Sequence, residues 1–546
     1  MKKILVFLIC MVFFDAVSQT LSITGKYEQS LFENGTVKTK TFTNPLINEG
    51  ENRMVNEKSV STDYSVYSSS IRWNLIVTGS LANDMSISGN GLVGYCGWNI
   101  NSKRIAAYGN ANSTALWEFT ASTSVNRNYV ASSDTGIVAA GSYLNIYLFD
   151  KNSNTPFFNF DLTTLPDTGT AGPVGITSNG AFFIGTASRS DTSTIMGFNK
   201  TSNTPVWKLR VTKPLQGIKI SGNDSLAIVN TYYNYWVINV YTGAVRYKDT
   251  ITNGTQTSQG ISGDGSIIAT INYRGYVKVY QWSGTAYTLL WQYQEAPGTY
   301  YNWMSTVDIS NDGNYIATGS LIFVTSSTYD GRVRFFKVSN GNTPLWSYTD
   351  MGDEVTCVDF SKNGKILAVS SWGDIDDTKK DLCVFKTSVI SNSPIFSTNM
   401  QGSPFVCSVS NDGTSVIAGG KAVHARQMGS GGTYWNVSID TSENPLKIHN
   451  ITSNTPNTYK LGQNYPNPFN PTTKIGFQIK EAGLVTLKVY DVLGKEVASL
   501  VNETLQAGEY EVPFSISQYN QIQSGVYFYR LQANNFTETK RLVLVK

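Results

Sequence analysis

The chain has 546 residues, of which 42 are basic and 39 acidic, giving a net charge of +3 with no basic block or tail. That balance leaves no electrostatic footprint for nucleic acid or an anionic membrane surface. Charged residues are sparse at 15% while glycine (47) and tyrosine (31) are abundant, which disfavours long helices and suits many short strands joined by tight turns.

At the N-terminus, Lys2 and Lys3 precede an apolar run from Ile4 to Phe14, and Ala16-Val17-Ser18 before Gln19 carries the small residues a signal peptidase requires. Residues 1–18 are therefore predicted to be a signal peptide. The run is too short for a transmembrane segment. Cys10 lies inside it behind Ile9, where lipid attachment would need a small residue, so no lipid anchor is expected. Residues 19–70, polar and rich in Ser, Asn, Lys and Glu, read as a lead segment lying along the surface or partly disordered.

From 71 to 440 the chain repeats. A Ser-x-Asp/Asn-Gly turn, preceded by an alternating strand and followed by a strongly apolar one, begins at Ser88, Ser132, Thr177, Ser221, Ser262, Ser310, Ser361 and Ser410. The spacing of 41 to 51 residues is that of propeller blades. Asp or Asn bonds its own backbone and Gly accepts a positive φ, so the turn can reverse one strand into the next. Two copies depart: Gly is delayed to Gly136 in the second, and Asp224 stands where Gly belongs in the fourth. In the sixth unit four strands follow in order, from Thr306 to Ser310, Tyr315 to Ser320, Arg332 to Val338 and Leu345 to Tyr348. A closing aromatic recurs as Trp117, Phe158, Trp207, Tyr247, Trp291, Trp346, Phe396 and Trp435, the seam expected where one blade buries its face against the next.

The Ser-x-Asp-Gly hairpin resembles WD-repeat and YVTN-type blades, and Asn342-Thr343-Pro344-Leu345-Trp346 resembles the repeats of pyrroloquinoline-quinone-type propellers. The implied fold is an all-β propeller. A quinone enzyme of that kind would carry adjacent cysteines, and no two cysteines here are neighbours, so no quinone is expected. Eight turns imply eight blades. Ile71 to Leu75 reads as a ninth fourth strand ahead of the first turn, as when the N-terminal segment completes the last blade. Seven blades remain an alternative, with the Tyr434-Trp435 strand redundant.

The chemistry-bearing residues are few. His424 and His449 are the only histidines, and His424 in the strand-like run Val423 to Arg426 reads as structural, with no nucleophile-elbow motif beside it. Cys96, Cys357, Cys383 and Cys407 lie in apolar strand patterns and read as unpaired core thiols, with a disulfide as the alternative in an oxidising destination. Asp374, Asp376 and Asp377, with Asp381, form an oxygen-rich loop that could hold calcium or simply be a solvated hairpin; no other cofactor is expected. Aromatics gather in second-to-third strand connections and crossovers, which share one rim of a propeller: Trp98, Tyr232, Tyr233, Tyr235, Trp236, Tyr300, Tyr301, Trp303 and Trp372. Such rings suit stacking on sugars or anchoring a protein, or else pack within hairpins.

A polar stretch at 441–458 reads as a linker. Beyond it, Val485, Leu487 and Val489 alternate with Thr486, Lys488 and Tyr490, and Gly483, Gly494, Gly508 and Gly525 punctuate short strands, the pattern of a small antiparallel, immunoglobulin-like β-sandwich. Pro466-Asn467-Pro468-Phe469-Asn470-Pro471, then Leu493-Gly494-Lys495-Glu496-Val497 and Gly525-Val526-Tyr527-Phe528-Tyr529-Arg530-Leu531, follow in order. Residues 459–546 thereby resemble the type A C-terminal sorting domain of type IX secretion substrates. The resemblance implies recognition by the outer-membrane translocon and removal by a surface sortase-like protease, with the protein released or anchored outside the cell. Three functions fit: a non-catalytic binder of an extracellular glycan or protein, a secreted glycan- or peptide-degrading hydrolase or lyase with carboxylates near the channel, and a structural surface component.

Overall fold

The computed structural model describes residues 26–33, 36–43 and 69–545, apart from stretches at 101–103, 121–126, 167–168, 251–255, 297, 299–301, 389–390, 442–448, 453–455, 471 and 516–522. The expected signal peptide lies outside the described residues. Within the lead segment, Lys26–Glu33 and Thr36–Thr43 pair as a hairpin.

Between residues 70 and 438 the strands form eight antiparallel sheets arranged as blades. Blades 1 to 7 run over 80–120, 128–161, 170–212, 215–250, 256–294, 303–348 and 355–398. The innermost strand of blade 3 is split into Thr170–Ala171 and Gly175–Ile176. Blade 8 takes three strands from 403–438 and its outermost one, Ser70–Val77, from the other end of the repeat region, with Leu75 opposite Tyr434. Each innermost strand packs against the next, including the eighth against the first, so the ring is closed. The seven-blade alternative falls, because Trp435 sits in the third strand of blade 8 and Trp73 occupies the fourth.

The repeated turn explains itself in atoms. Ser310 Oγ donates to Asp312 (2.6 Å) and accepts the Tyr315 N–H (2.9 Å), while the Gly313 N–H closes the turn on the Ser310 carbonyl (2.8 Å). Serine thus ties both ends of the reversal through one hydroxyl. In the second copy Ser133, not Ser132, plays this part, with Thr135 in the Asx place and Gly136 in register. In the fourth, Asp224 takes the glycine's left-handed conformation at φ 61°.

The fourth-strand aromatics act between blades. The indoles of Trp117, Trp207 and Trp291 donate to the carbonyls of Lys151, Val240 and Val338, each in the following blade. A blade is consequently buried on both faces. The four cysteines are free; Cys96, Cys383 and Cys407 are buried and Cys357 half-buried, its Sγ 3.3 Å from the Cys407 carbonyl in the adjacent innermost strand.

Residues 449–545 form a sandwich of two four-stranded sheets. Val485, Leu487 and Val489 from one share a core with Ile475, Phe477 and Ile479 from the other. The strand His449–Thr452 pairs with Gly508–Ser515, so the sandwich begins inside the stretch read as linker. The proline-rich lead-in is tied to its neighbours: Phe469 is buried and exchanges backbone hydrogen bonds with Val543 and Val545, Asn467 Oδ1 accepts the Val543 N–H, and the Asn464 side chain donates to the Pro466 carbonyl. Gly525 is exposed at the start of its strand, opposite Leu544.

Candidate binding face

Blade topology sends the Ser-x-Asx-Gly turns to one end of the central channel and the second-to-third loops and crossovers to the other. The turn end is drawn together. Asp134 N–H donates to the Ser178 carbonyl, Asn223 to Gly263, Gly263 to Asn311, and Asn411 to Gly89, all at 2.8 to 2.9 Å. Gly222 and Gly263 have no room for a Cβ, which would collide with the Asn311 side chain. Lys362 of blade 7 reaches Asp134 and Ser178 in blades 2 and 3, at 3.0 and 2.7 Å.

Inside the channel the carboxylates are largely structural. Asp308 accepts the Phe360 N–H of the next blade and Asp359 that of Val409, while Lys219 from blade 4 reaches Asp308 at 2.5 Å and Asp359 at 3.9 Å. Asp84 accepts the N–H groups of Met85 and Val130. These acids satisfy amide edges of innermost strands that have no further strand to pair with.

At the loop-rich end an arc of rings crosses blades 5 to 7 and is joined by Arg426 from blade 8. Tyr273 packs edge-on to Trp303 with centroids 4.7 Å apart, Trp303 to Phe323 at 5.3 Å, and Phe323 to Tyr329 at 5.3 Å. Arg426 then lies 3.6 Å over Tyr329 and 5.2 Å from Trp372, with its guanidinium fixed by Asp353 at 2.5 and 2.9 Å. A bidentate pair of this kind holds a planar cation in a defined orientation. Glu354, next to Asp353, is half-buried, and burial followed by repulsion from Asp353 pushes its carboxyl up to about 7 against the pull of Arg426. Burial raises the phenol pKa of both Tyr129 and Tyr273, and the charge of Tyr232 adds to it in each.

The residues expected at this face divide by depth. Tyr232, Trp303 and Trp372 are half-buried in it and Tyr233 is 48% exposed. Tyr300 and Tyr301 lie outside the described residues. Trp98, Tyr235 and Trp236 are core side chains, a correction to the expectation. Trp98 sits in Val93–Ile100 with no exposed surface and donates to the Tyr108 hydroxyl at 3.1 Å. Tyr235 and Trp236 are neighbours on Asn234–Asn239, and strand alternation sends them into two different inter-blade cores. Both faces of a blade are covered, so neither residue reaches solvent.

Asp374, Asp376 and Asp377 do not converge either. Asp374 is engaged by the N–H groups of Thr378 and Lys379 and the Thr378 hydroxyl, Asp376 is exposed, and Asp377 adopts φ 57° in the turn. Among the described residues no three acidic, histidine or cysteine side chains are placed to hold a metal ion. Arg426, Tyr329, Tyr273, Phe323 and Glu354 escaped sequence reasoning. Residues 422–431 form a loop rather than the strand that Val-His-Ala-Arg alternation suggested, because the second strand of blade 8 ends at Lys421.

No curated protein matches the chain. Among solved structures it is similar to the β-propeller domain of Cps50 (Swd1) from Myceliophteria thermophila, with a TM-score of 0.41 at 10% identity, covering 55% of this chain and 96% of that one. Among the described residues no helix is long and apolar enough to cross a membrane. Residues 463–546 match the family described as the secretion system C-terminal sorting domain. The sandwich with its tethered Pro-Asn lead-in is a type IX secretion sorting domain, and the chain it ends is exported across the outer membrane to the cell surface or the extracellular space.

Proposed function

We propose that the propeller is a non-catalytic binding module for an extracellular glycan or protein, engaged through its loop-rich face. The observation that carries this reading is the arc from Tyr273 to Trp372, in which partly exposed rings are held by one another and by an arginine that Asp353 fixes. Preorganised aromatics with polar edges are the usual anchors of sugar and protein recognition. The channel carboxylates Asp84, Asp308 and Asp359, and Asp353 at the loop-rich end, all hold backbone or basic partners, which weighs against their use as a paired acid and base.

Glu354 favours a second reading. Its carboxyl, raised to about 7, has the proton affinity of a general acid, so a secreted hydrolase or lyase remains the alternative. Glycan and surface-protein arrays probed with the secreted chain test the first reading. Binding that weakens by ~1–3 kcal/mol in Tyr233→Ala or Trp372→Ala is expected. Turnover of chromogenic glycan or peptide substrates, abolished by Glu354→Gln, would overturn it in favour of the second. A purely structural surface component would give neither.

A further inference from the structure

Two of the four cysteines share a seam. Cys407, on the innermost strand of blade 8 (Ser403–Val409), belongs to the core between blades 7 and 8, and Cys357, on the innermost strand of blade 7 (Val355–Phe360), packs against it. Cys383 belongs instead to the core between blades 6 and 7, and Cys96 to the one between blades 8 and 1. The two innermost strands are tied on either side of the pair. The Thr356 hydroxyl donates to the Pro404 carbonyl at 3.1 Å, and Asp359 Oδ2 accepts the Val409 N–H at 2.9 Å. Between these ties the sulfurs reach across reciprocally, Cys357 Sγ 3.3 Å from the Cys407 carbonyl oxygen and Cys407 Sγ 4.0 Å from that of Cys357. A hydrogen bond between the two thiols, together with burial, raises the Cys407 thiol well above its ordinary range. A disulfide needs facing side chains on strands close enough for the sulfurs to meet, and of the four cysteines only these two lie in one core.

We propose that Cys357 and Cys407 are joined by a disulfide in the exported protein, a covalent staple across the seam between blades 7 and 8. The structure holds both as thiols, and the route out of the cell leads into oxidising surroundings. The oxidant is a disulfide, protein or small molecule. The thiolate of half-buried Cys357 attacks one of its sulfurs and releases the other as a thiol. Cys407 then attacks Cys357 within the mixed disulfide and releases the second thiol, so the buried partner never has to meet the oxidant. In sum, two cysteine thiols give up two electrons and two protons as one S–S bond forms, and the oxidant takes them up as its own S–S bond breaks. The exchange can proceed as the blades come together, before the seam is packed. The bond closes a loop of 50 residues, which restrains the unfolded chain. It secures the seam of blade 8, whose sheet otherwise depends on Ser70–Val77 brought from the far end of the repeats.

Peptide mapping by mass spectrometry tests it on the secreted chain, alkylated in denaturant without reductant. The peptides carrying Cys357 and Cys407 should appear joined, two hydrogens lighter than their sum, and separate on reduction, while Cys96 and Cys383 are alkylated from the start. A reductant should also lower the melting temperature of the parent by ~5 °C. Cys357→Ser should melt with the reduced parent and ignore the reductant, and Cys407→Ala makes the same comparison where Cys357→Ser does not fold. Alkylation of all four cysteines without reductant overturns the proposal. So does a bond that joins either residue to Cys96 or Cys383. A joined pair whose reduction leaves the melt unchanged overturns the staple.

Discussion

Glu354 and Asp353 are adjacent acids with opposite fates at the residue scale. Asp353 spends its charge on Arg426, whereas the Glu354 side chain faces that pair without bonding to it, and its folded carboxyl sits near 7 rather than its ordinary 4.5. A carboxyl raised on folding binds its proton more tightly in the native state, so its contribution to stability is complete below about 4.5 and is lost as pH climbs toward 7. Glu354→Gln keeps the shape and removes the charge. It should match the parent near pH 4.5 and exceed it at pH 8, by on the order of 1–3 kcal/mol, in melts across that range; parallel curves would mean the carboxyl is solvated in the folded protein. The tyrosines of blade 4 supply a second contrast. Tyr233→Ala should leave the melting temperature nearly unchanged, whereas Tyr235→Ala, two positions on, should cost roughly 3–5 kcal/mol, as a large buried ring does. Sequence alone did not separate them, because a Tyr-Tyr-Asn-Tyr-Trp run has the same composition in a turn as in a strand. What separates them is where the turn ends, at Asn234.

At the scale of elements, the Ser-x-Asx-Gly turn was legible to the residue, since its serine, its Asx and its positive φ are all local demands. Its one slip, Ser132 for Ser133, came from a threonine doing the work of Asp. Asp224 is more instructive. A glycine would relax its φ of 61°, yet both Asp224 carboxylate oxygens accept the Ser178 N–H of the neighbouring turn, at 2.9 and 3.0 Å. Relief of the left-handed conformation is worth ~1–2 kcal/mol at most, and a charge-assisted hydrogen bond about 1.5–3, here to a half-buried donor and reinforced by the Ser178 hydroxyl at 3.2 Å. The bonds win, so Asp224→Gly should destabilise the propeller and Asp224→Asn should lie between it and the parent in chemical denaturation. A more stable glycine variant would show that the link between turns contributes little. The arc of rings was not legible in the same way. Tyr273, Tyr329 and Arg426 come from three blades, and only the closed ring brings them together.

Whole-molecule architecture follows from two facts of sequence, a period of 41 to 51 residues and a surplus strand before the first turn, which is why blade number and closure could be read in advance and the site could not. The same closure bears on how the chain can be cut. Since His449–Thr452 belongs to the sandwich, truncation after residue 441 should leave a folded propeller in the periplasm, lacking the sorting domain, and cell fractionation would show it; equal release of both forms would remove the sorting role. Truncation from the front is the sharper test. Residues 26–43 make only their own hairpin among the described strands, so removal of 19–60 should barely alter the melt. Removal of 19–79 takes the outermost strand of blade 8. It strips Trp73 from its stack on Tyr434, centroids 5.1 Å apart, and breaks the bonds of Arg72 to Asn436 and the Val437 carbonyl. A ring whose last sheet has an unpaired edge gives up the protection that closure provides, and this variant should melt well below the shorter deletion and aggregate through the exposed strand Gly432–Ser438. Similar midpoints for the two truncations would mean that the packing of the innermost strands of blades 8 and 1 closes the ring without the N-terminal strand.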